Sequence, residues 1–332
     1  MAARRLSRED YTVGWICALP IERAVAIAML DDKHHRLPNA QGDNNSYTYG
    51  AINGHNVVIA CLPAGKYGTS SATAVAKDML RSFRIRVGLM VGIGGGVPKN
   101  KVRLGDVVVS NPSGHYGGVV QYDFGKAISE GVFYQNSHLN NPPTVLLTAL
   151  AELRAQHEIF GNQSHMHIGK MAENFPQMKE EYTFSDRLED VLFGAEDIHL
   201  EGNEDCEPCK RLFQQVQRKD AKHEIHYGVI ASGNQVMKDG KKRDQIDQNA
   251  GDKVLCFEME AAGLMDDFPC LVIRGICDYS DSHKNKEWQR YAAAVAAAYT
   301  KDFLGFIALE ELLNTPVAAV GKMQVSRIEF WF

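Results

Sequence analysis

The chain has 332 residues, 45% of them hydrophobic and 23% charged, with 41 Asp and Glu against 36 Lys and Arg for a net charge of -5 at pH 7. This is a globular composition, long enough for a large α/β domain, and its acidic balance argues against the basic surfaces that bind nucleic acid or anionic lipid. The opening MAARRLSRED leads into no apolar leader, no run approaches the ~20 residues of a membrane helix, and the seven cysteines are odd in number and scattered, so a cytosolic protein with reduced thiols is expected.

In chain order, the run TVGWICA (12–18) predicts a buried strand, and Pro20, favoured in a first helical turn, opens a helical pattern over Ile21–Leu30. Glu22 and Arg23 fall in that first turn. An ordinary surface helix start accounts for both, while a place at a sheet edge would suit Glu22 as a base for water. VVIACL (57–62) predicts the next strand. The loop PAGKYGTSS (63–71) lacks the phosphate-loop spacing, having Ala60 and Tyr67 where Gly and Ser or Thr are required. Its amides and Lys66 still suit an anion at the start of a helix over Ser71–Phe83, against a plain N-cap made by Thr69 or Ser70.

VGLMVGI (87–93) predicts a strand running into Gly92, Gly94, Gly95 and Gly96. Val97 breaks the dinucleotide fingerprint, so Gly94 and Gly95 serve either close approach to a ligand or tight packing. DVVVS (106–110) is a further strand. From about 125 to 225 the texture changes to Asn, His, Glu and Lys with little strand pattern, which predicts loop-rich insertions around a helix at Val145–Gln156. Within it, Cys206 and Cys209, with His199, His223 and His226 nearby, make half a zinc pattern that nothing completes, so no metal or other cofactor is expected.

YGVIAS (227–232) and CLVIRGIC (270–277) predict two more buried strands. Between them, Phe257-Glu258-Met259-Glu260 follows the strand-like VLC and precedes a helical pattern over Glu260–Asp267. Two carboxylates around a methionine suit ribose hydroxyls over a soft apolar floor; the plain alternative is a helix start enriched in Glu. Asp278 ends its strand where open α/β sheets place ligands, and apolar neighbours suit it as a general acid, although Asp is also a common turn residue. A long helix over Glu287–Leu313 completes the pattern. The organisation expected is an extension at 1–10, an α/β domain over 11–313 and a tail at 314–332.

Taken in order, GIGGGV (92–97), LGDVVVS (104–110), ASGNQVMKD (231–239), FEMEAAGLM (257–265) and VIRGICDYSDSHKN (272–285) resemble the nucleoside phosphorylase and nucleosidase superfamily. The nearest likeness is to the fungal phosphorylase-like domains at the front of larger receptor-type proteins, and it covers about Tyr11 to Leu312. The resemblance implies a three-layer α/β/α fold around a mixed, partly barrel-like sheet, assembled as a homo-oligomer around a small purine nucleoside or nucleotide. It implies that Glu260 binds ribose hydroxyls, Met259 underlies the sugar, Asp278 meets purine N7, and Val236, Met237 and Phe257 line the base. ICALPIERA (16–24) resembles the nucleosidase opening, with Glu22 on its catalytic glutamate, and Met90 stands where hexameric phosphorylases often carry Arg. Hydrolysis of an adenine nucleoside or nucleotide, ATP included, is therefore expected. Phosphorolysis using Arg23 is the alternative, and a non-catalytic nucleotide-sensing module the second; Lys66 and Arg23 are the cations available for phosphates.

Overall fold

The computed structural model describes residues 6–318 except 130–131, 136–137, 201–205, 214 and 219–222. Residues 1–5 and 319–332, parts of the expected extension and tail, lie outside the described residues. Fourteen strands are described: β1 (Val13–Cys17), β2 (Asp32–Lys33), β3 (Tyr47–Ile52), β4 (His55–Cys61), β5 (Val87–Gly96), β6 (Val107–Ser110), β7 (Val119–Gln121), β8 (Gly125–Ser129), β9 (Val132–Gln135), β10 (Asp190–Phe193), β11 (Gln215–Arg218), β12 (Ile225–Ser232), β13 (Val254–Glu258) and β14 (Cys270–Asp278). The helices are α1 (Pro20–Ala28), α2 (Thr69–Ser82), α3 (Thr144–Phe160), α4 (Ser164–Asn174), α5 (Pro176–Tyr182), α6 (Glu207–Leu212), α7 (Gly240–Asn249), α8 (Gln289–Leu304) and α9 (Leu309–Asn314).

Ten strands form one mixed sheet in the order β13-β12-β6-β14-β5-β1-β4-β3-β2, with β7 beside β12. The sheet curls far enough for β13 to pair with β5 as well, so β5, β14, β6, β12 and β13 close a ring. Strand β14 runs parallel to β5, with Arg274 opposite Gly92 and Asp278 opposite Gly95. On the other side of β5 the ring closes antiparallel, Phe257 opposite Gly95 and Cys256 opposite Gly96. Gly95 thus lies between the ends of two strands that arrive from different parts of the chain.

Side-chain alternation along the strands divides the core into two layers. Val13, Trp15 and Cys17 of β1 pack with residues of α1, α3, α4 and α8 on one face. Ile16 of the same strand packs with Ala72, Val75, Ala76 and Met79 of α2 on the other. The architecture is therefore the expected α/β/α with a partly closed sheet. Alanines 292–294 and 296–298 of α8 are buried, and they let that helix lie so close to β14 that the Ala292 backbone blocks any side chain at Gly275.

Three expectations change. The helix over Glu260–Asp267 is only a 3-10 turn at Ala261–Gly263. Its first amides are taken by side chains, Glu260 N and Ala261 N donating to Glu258 and Ala262 N to Ser232 Oγ, and the Gly263 carbonyl accepts from Thr73 Oγ1. The long C-terminal helix breaks after Leu304, and α9 starts afresh at Leu309. The stretch from about 125 to 225, where little strand pattern is legible in the sequence, holds the strand pairs β8-β9 and β10-β11 and the helices α3, α4, α5 and α6 as well as loops. Helix α4 docks Ile168 and Met171 into the core despite a His-rich sequence.

The two ends of the described domain meet. Arg86 N donates to Thr12 O at 2.8 Å, the Arg86 side chain donates to Thr315 O, and Ala318 N donates to Ile85 O at 2.8 Å. The first residues of the expected tail are thus fixed to the sheet. No helix is long and apolar enough to cross a membrane among the described residues.

Candidate active site

Glu22 sits in the first turn of α1 after Pro20, as the sequence suggests, but it is buried. Its Oε2 accepts from Ala18 N (2.7 Å) and Leu19 N (2.9 Å), which satisfies amides around the helix start, and Oε1 accepts from Ile93 N in β5 at 2.8 Å. The same carboxylate therefore caps a helix and is held against the glycine strand. Gly92 has to be bare, because a Cβ there would run into Glu22 and the Arg274 guanidinium.

Opposite Glu22, the end of β13 delivers Glu258 and Glu260, both buried. Glu260 Oε1 accepts from Gly68 N at 3.3 Å, at the N-terminus of α2. Arg274, 1% exposed in the middle of β14, joins the group. Its Nη2 pairs with Glu258 and lies 3.5 Å from Glu260, and its Nη1 is 3.4 Å from the Ile93 carbonyl. Glu258 and Glu260 thus share one guanidinium, whose charge also acts on Glu22. Burial pushes Glu260 up to about 7, with Arg274 opposing and the charges of Glu258 and Glu22 adding to the rise. Burial raises Glu22 as well, against the pull of Arg274 and its backbone donors.

Asp278 stands about 10 Å further along β5 than Gly92, from the strand rise over three residues, because β14 places it beside Gly95. A Cβ on Gly95 would lie 2.5 Å from Asp278 Oδ1 and would also meet Ser280 Oγ. Oδ1 accepts from Ser280 N at 2.9 Å, while Oδ2 lies 2.8 Å from Lys284 Nζ and 3.0 Å from Cys277 Sγ. Gly94 is covered by the Phe257 backbone and the stem of Arg274, so its freedom from a side chain serves packing.

The expected base neighbours are divided. Met237 and Phe257 are buried in one cluster with Tyr122, whose ring meets Phe257 edge-on at 5.5 Å and whose hydroxyl donates to Gln235 O. Val236 is 46% exposed, and Met259 is half-buried beside Gly68. Lys66 is exposed on the loop before α2. That loop is pinned by neither Thr69 nor Ser70 acting as a cap, but by Asn234 Oδ1, which accepts from Thr69 N (3.1 Å) and Thr69 Oγ1 (3.0 Å) while Asp123 holds Asn234 from behind. Arg23 Nη2 reaches Thr48 Oγ1 (3.2 Å) and Ser46 Oγ (3.4 Å). Cys206 and Cys209 lie at α6, and no group of three or more potential metal ligands is formed among the described residues.

Sequence reasoning missed Arg274, Lys284 and Asn234. Arg274 had a signal: a charge inside the apolar run CLVIRGIC has to be buried and paired. Lys284 and Asn234 had none, since Lys284 reaches Asp278 only through the fold of the loop after β14 and Asn234 acts on Thr69, 165 residues away in the chain.

With this geometry in place, the comparisons agree on the lineage. The model of the phosphorylase superfamily matches residues 12–307, and the chain belongs to that family. It is 47% identical over 317 residues to a nucleotide-binding leucine-rich repeat (NLR)-like protein of Hyaloscypha variabilis, covering 94% of this chain and 31% of that protein. An ATP nucleosidase, Cap17 of Escherichia coli, is 23% identical over 87% of this chain and 50% of its own length, so the chain spans about a third and a half of these two relatives. A 5'-methylthioadenosine/S-adenosylhomocysteine nucleosidase of Mycobacterium bovis is 23% identical over 88% of this chain and 95% of its own. Among solved structures, a nucleosidase of the same name from S. pneumoniae, in complex with a transition-state inhibitor, superposes with a TM-score of 0.57 at 17% identity, covering 90% of this chain and all of its own.

Proposed function

We propose that this chain hydrolyses the N-glycosidic bond of an adenine nucleoside or nucleotide and releases the free base. The observation that carries the reading is the buried set of Glu22, Glu258 and Glu260 around a single Arg274. Once its carboxylates ionise, such a set holds more negative than positive charge away from water, and so favours a ligand that becomes cationic. Breaking a C1'–N bond creates that cation on the ribosyl ring, and fixed charges that oppose it stabilise the transition state more than the neutral substrate.

In this reading Glu260 accepts from the ribose hydroxyls over Met259, and Asp278 faces N7 of the base. Glu22, locked on Ile93 N, takes the proton of the attacking water. The nucleosidases among the relatives support hydrolysis, and the ATP nucleosidase supports a 5'-phosphorylated substrate with Lys66 on the exposed loop beside Glu260. Arg23, the residue a phosphorolytic alternative would use, is engaged with two hydroxyls of the segment around β3. The test is chromatography of base release from adenosine, AMP and ATP in phosphate-free buffer and with added phosphate. Adenine released without phosphate is expected, fastest from the preferred 5' substituent. Release only with phosphate, alongside ribose 1-phosphate, would make the enzyme a phosphorylase, and tight binding without release would leave a sensing module.

A further inference from the structure

Lys284 lies outside the segments that build the carboxylate set, yet its Nζ is 2.8 Å from Asp278 Oδ2 with both side chains largely shielded, 25% and 3% exposed. Asp278 accepts at both oxygens, from Ser280 N at Oδ1 and from Lys284 and Cys277 at Oδ2. That is the bonding pattern of a carboxylate, which has no proton to give. Protonation of a departing purine therefore needs a second group. The Ser280 amide does not ionise, and burial together with the charge of Asp278 pushes the Cys277 thiol well above its usual range. The ammonium of Lys284 is what remains. The titratable groups facing it are Asp278, Asp281 and the neutral thiol of Cys277, with Arg243 acting on Asp281.

We propose that Lys284 is the proton source for the departing base and that Asp278 is the relay. This rests on the hydrolase reading above. As the C1'–N9 bond breaks, its electron pair stays on the purine; the proton passes from Lys284 Nζ to the Asp278 carboxylate and from that carboxyl to N7. Water adds to C1' and gives its proton to Glu22. The step ends with a neutral amine, an Asp278 carboxylate and a protonated Glu22, and return of the Glu22 proton to the amine through solvent restores the resting state with no net proton consumed. Against the desolvation of Lys284, the charge of Asp278 holds the ammonium proton in the resting site, and the purine, as it takes the electron pair of the breaking bond, becomes basic enough at N7 to draw that proton through the carboxyl. A cavity of about 130 Å³ lined by Cys277, Asp278, Asp281 and His283 adjoins the Asp278 end of the relay.

The test compares the wild type with Lys284→Met and Lys284→Arg on two substrates: adenosine (or whichever of adenosine, AMP and ATP the wild type cleaves) and 4-nitrophenyl riboside, whose leaving group departs without protonation at a ring nitrogen. Lys284→Met is expected to slow purine release by about 100-fold or more and 4-nitrophenol release only severalfold. Lys284→Arg, which keeps the charge but does not surrender its proton, is expected to stay slow on the purine. Purine turnover retained in Lys284→Met, full rescue by Lys284→Arg, or equal loss on both substrates would overturn the proposal. Asp278→Asn measured alongside separates the two readings: no base release by the wild type fails the hydrolase reading, whereas an undiminished purine rate in Asp278→Asn would remove the relay and overturn the proposal.

Discussion

Glu260 gives the site a pH dependence. Its ordinary value is 4.5 and in the fold it is pushed up to about 7 by burial, so between those limits the folded chain keeps a proton that the unfolded chain releases. Ionising the group thus costs stability, and the stability of the wild type relative to Glu260→Gln should fall as pH rises from about 4.5 to about 7, then level off. Urea unfolding of both proteins at about pH 5 and about pH 8 measures this; an unchanged gap would show that Arg274 fully compensates Glu260. Protonated Glu260 accepts fewer hydrogen bonds from a sugar, so the fold is favoured at a pH below the one the chemistry needs. Glu22, Glu258, Glu260 and Asp278 all stand out in the sequence as carboxylates at element ends. What could not be read there is that the first three converge on one arginine, because convergence is set by the ring closure of the sheet and not by spacing along the chain.

At the level of elements, the apolar runs at 12–18, 57–62, 87–93, 106–110, 227–232 and 270–277 all correspond to strands. Their signal is strong because they are covered on both faces, which demands continuous hydrophobicity. Strand β3, with its Thr and Gly, and the three-residue β7 gave no such signal. The 3-10 turn after β13 was misread as a helix, since composition does not reveal that side chains capture its amides. The contact between β14 and α8 allows a prediction. An alanine at Gly275 would place its Cβ 2.5 Å from the Ala292 carbonyl carbon and closer still to its oxygen. Backbone cannot rotate away as a side chain can, so Gly275→Ala should destabilise by about 3 kcal/mol or more, visible as a lower denaturation midpoint at unchanged m-value. A loss below about 1 kcal/mol would mean that α8 slides without cost.

Across the whole molecule, the site draws on residues from Ala18 to Lys284, so neither half of the chain contains it. Thr12 and Ala318 nevertheless reach the same short segment, Ile85–Arg86. Joining the ends at this edge with a flexible linker and opening the chain between Gly161 and Asn162, in the turn between α3 and α4 where Gly161 is exposed, should give a circular permutant that folds and keeps its turnover within severalfold. A permutant that fails to fold would show that order of synthesis, not only final contacts, is needed to close the ring.

Because Thr12 and Ala318 meet at one edge, the domain has the geometry of a cassette. Polypeptide joined at that edge would start side by side, so a longer protein could carry or lose the whole domain as a single insertion without re-routing its own chain.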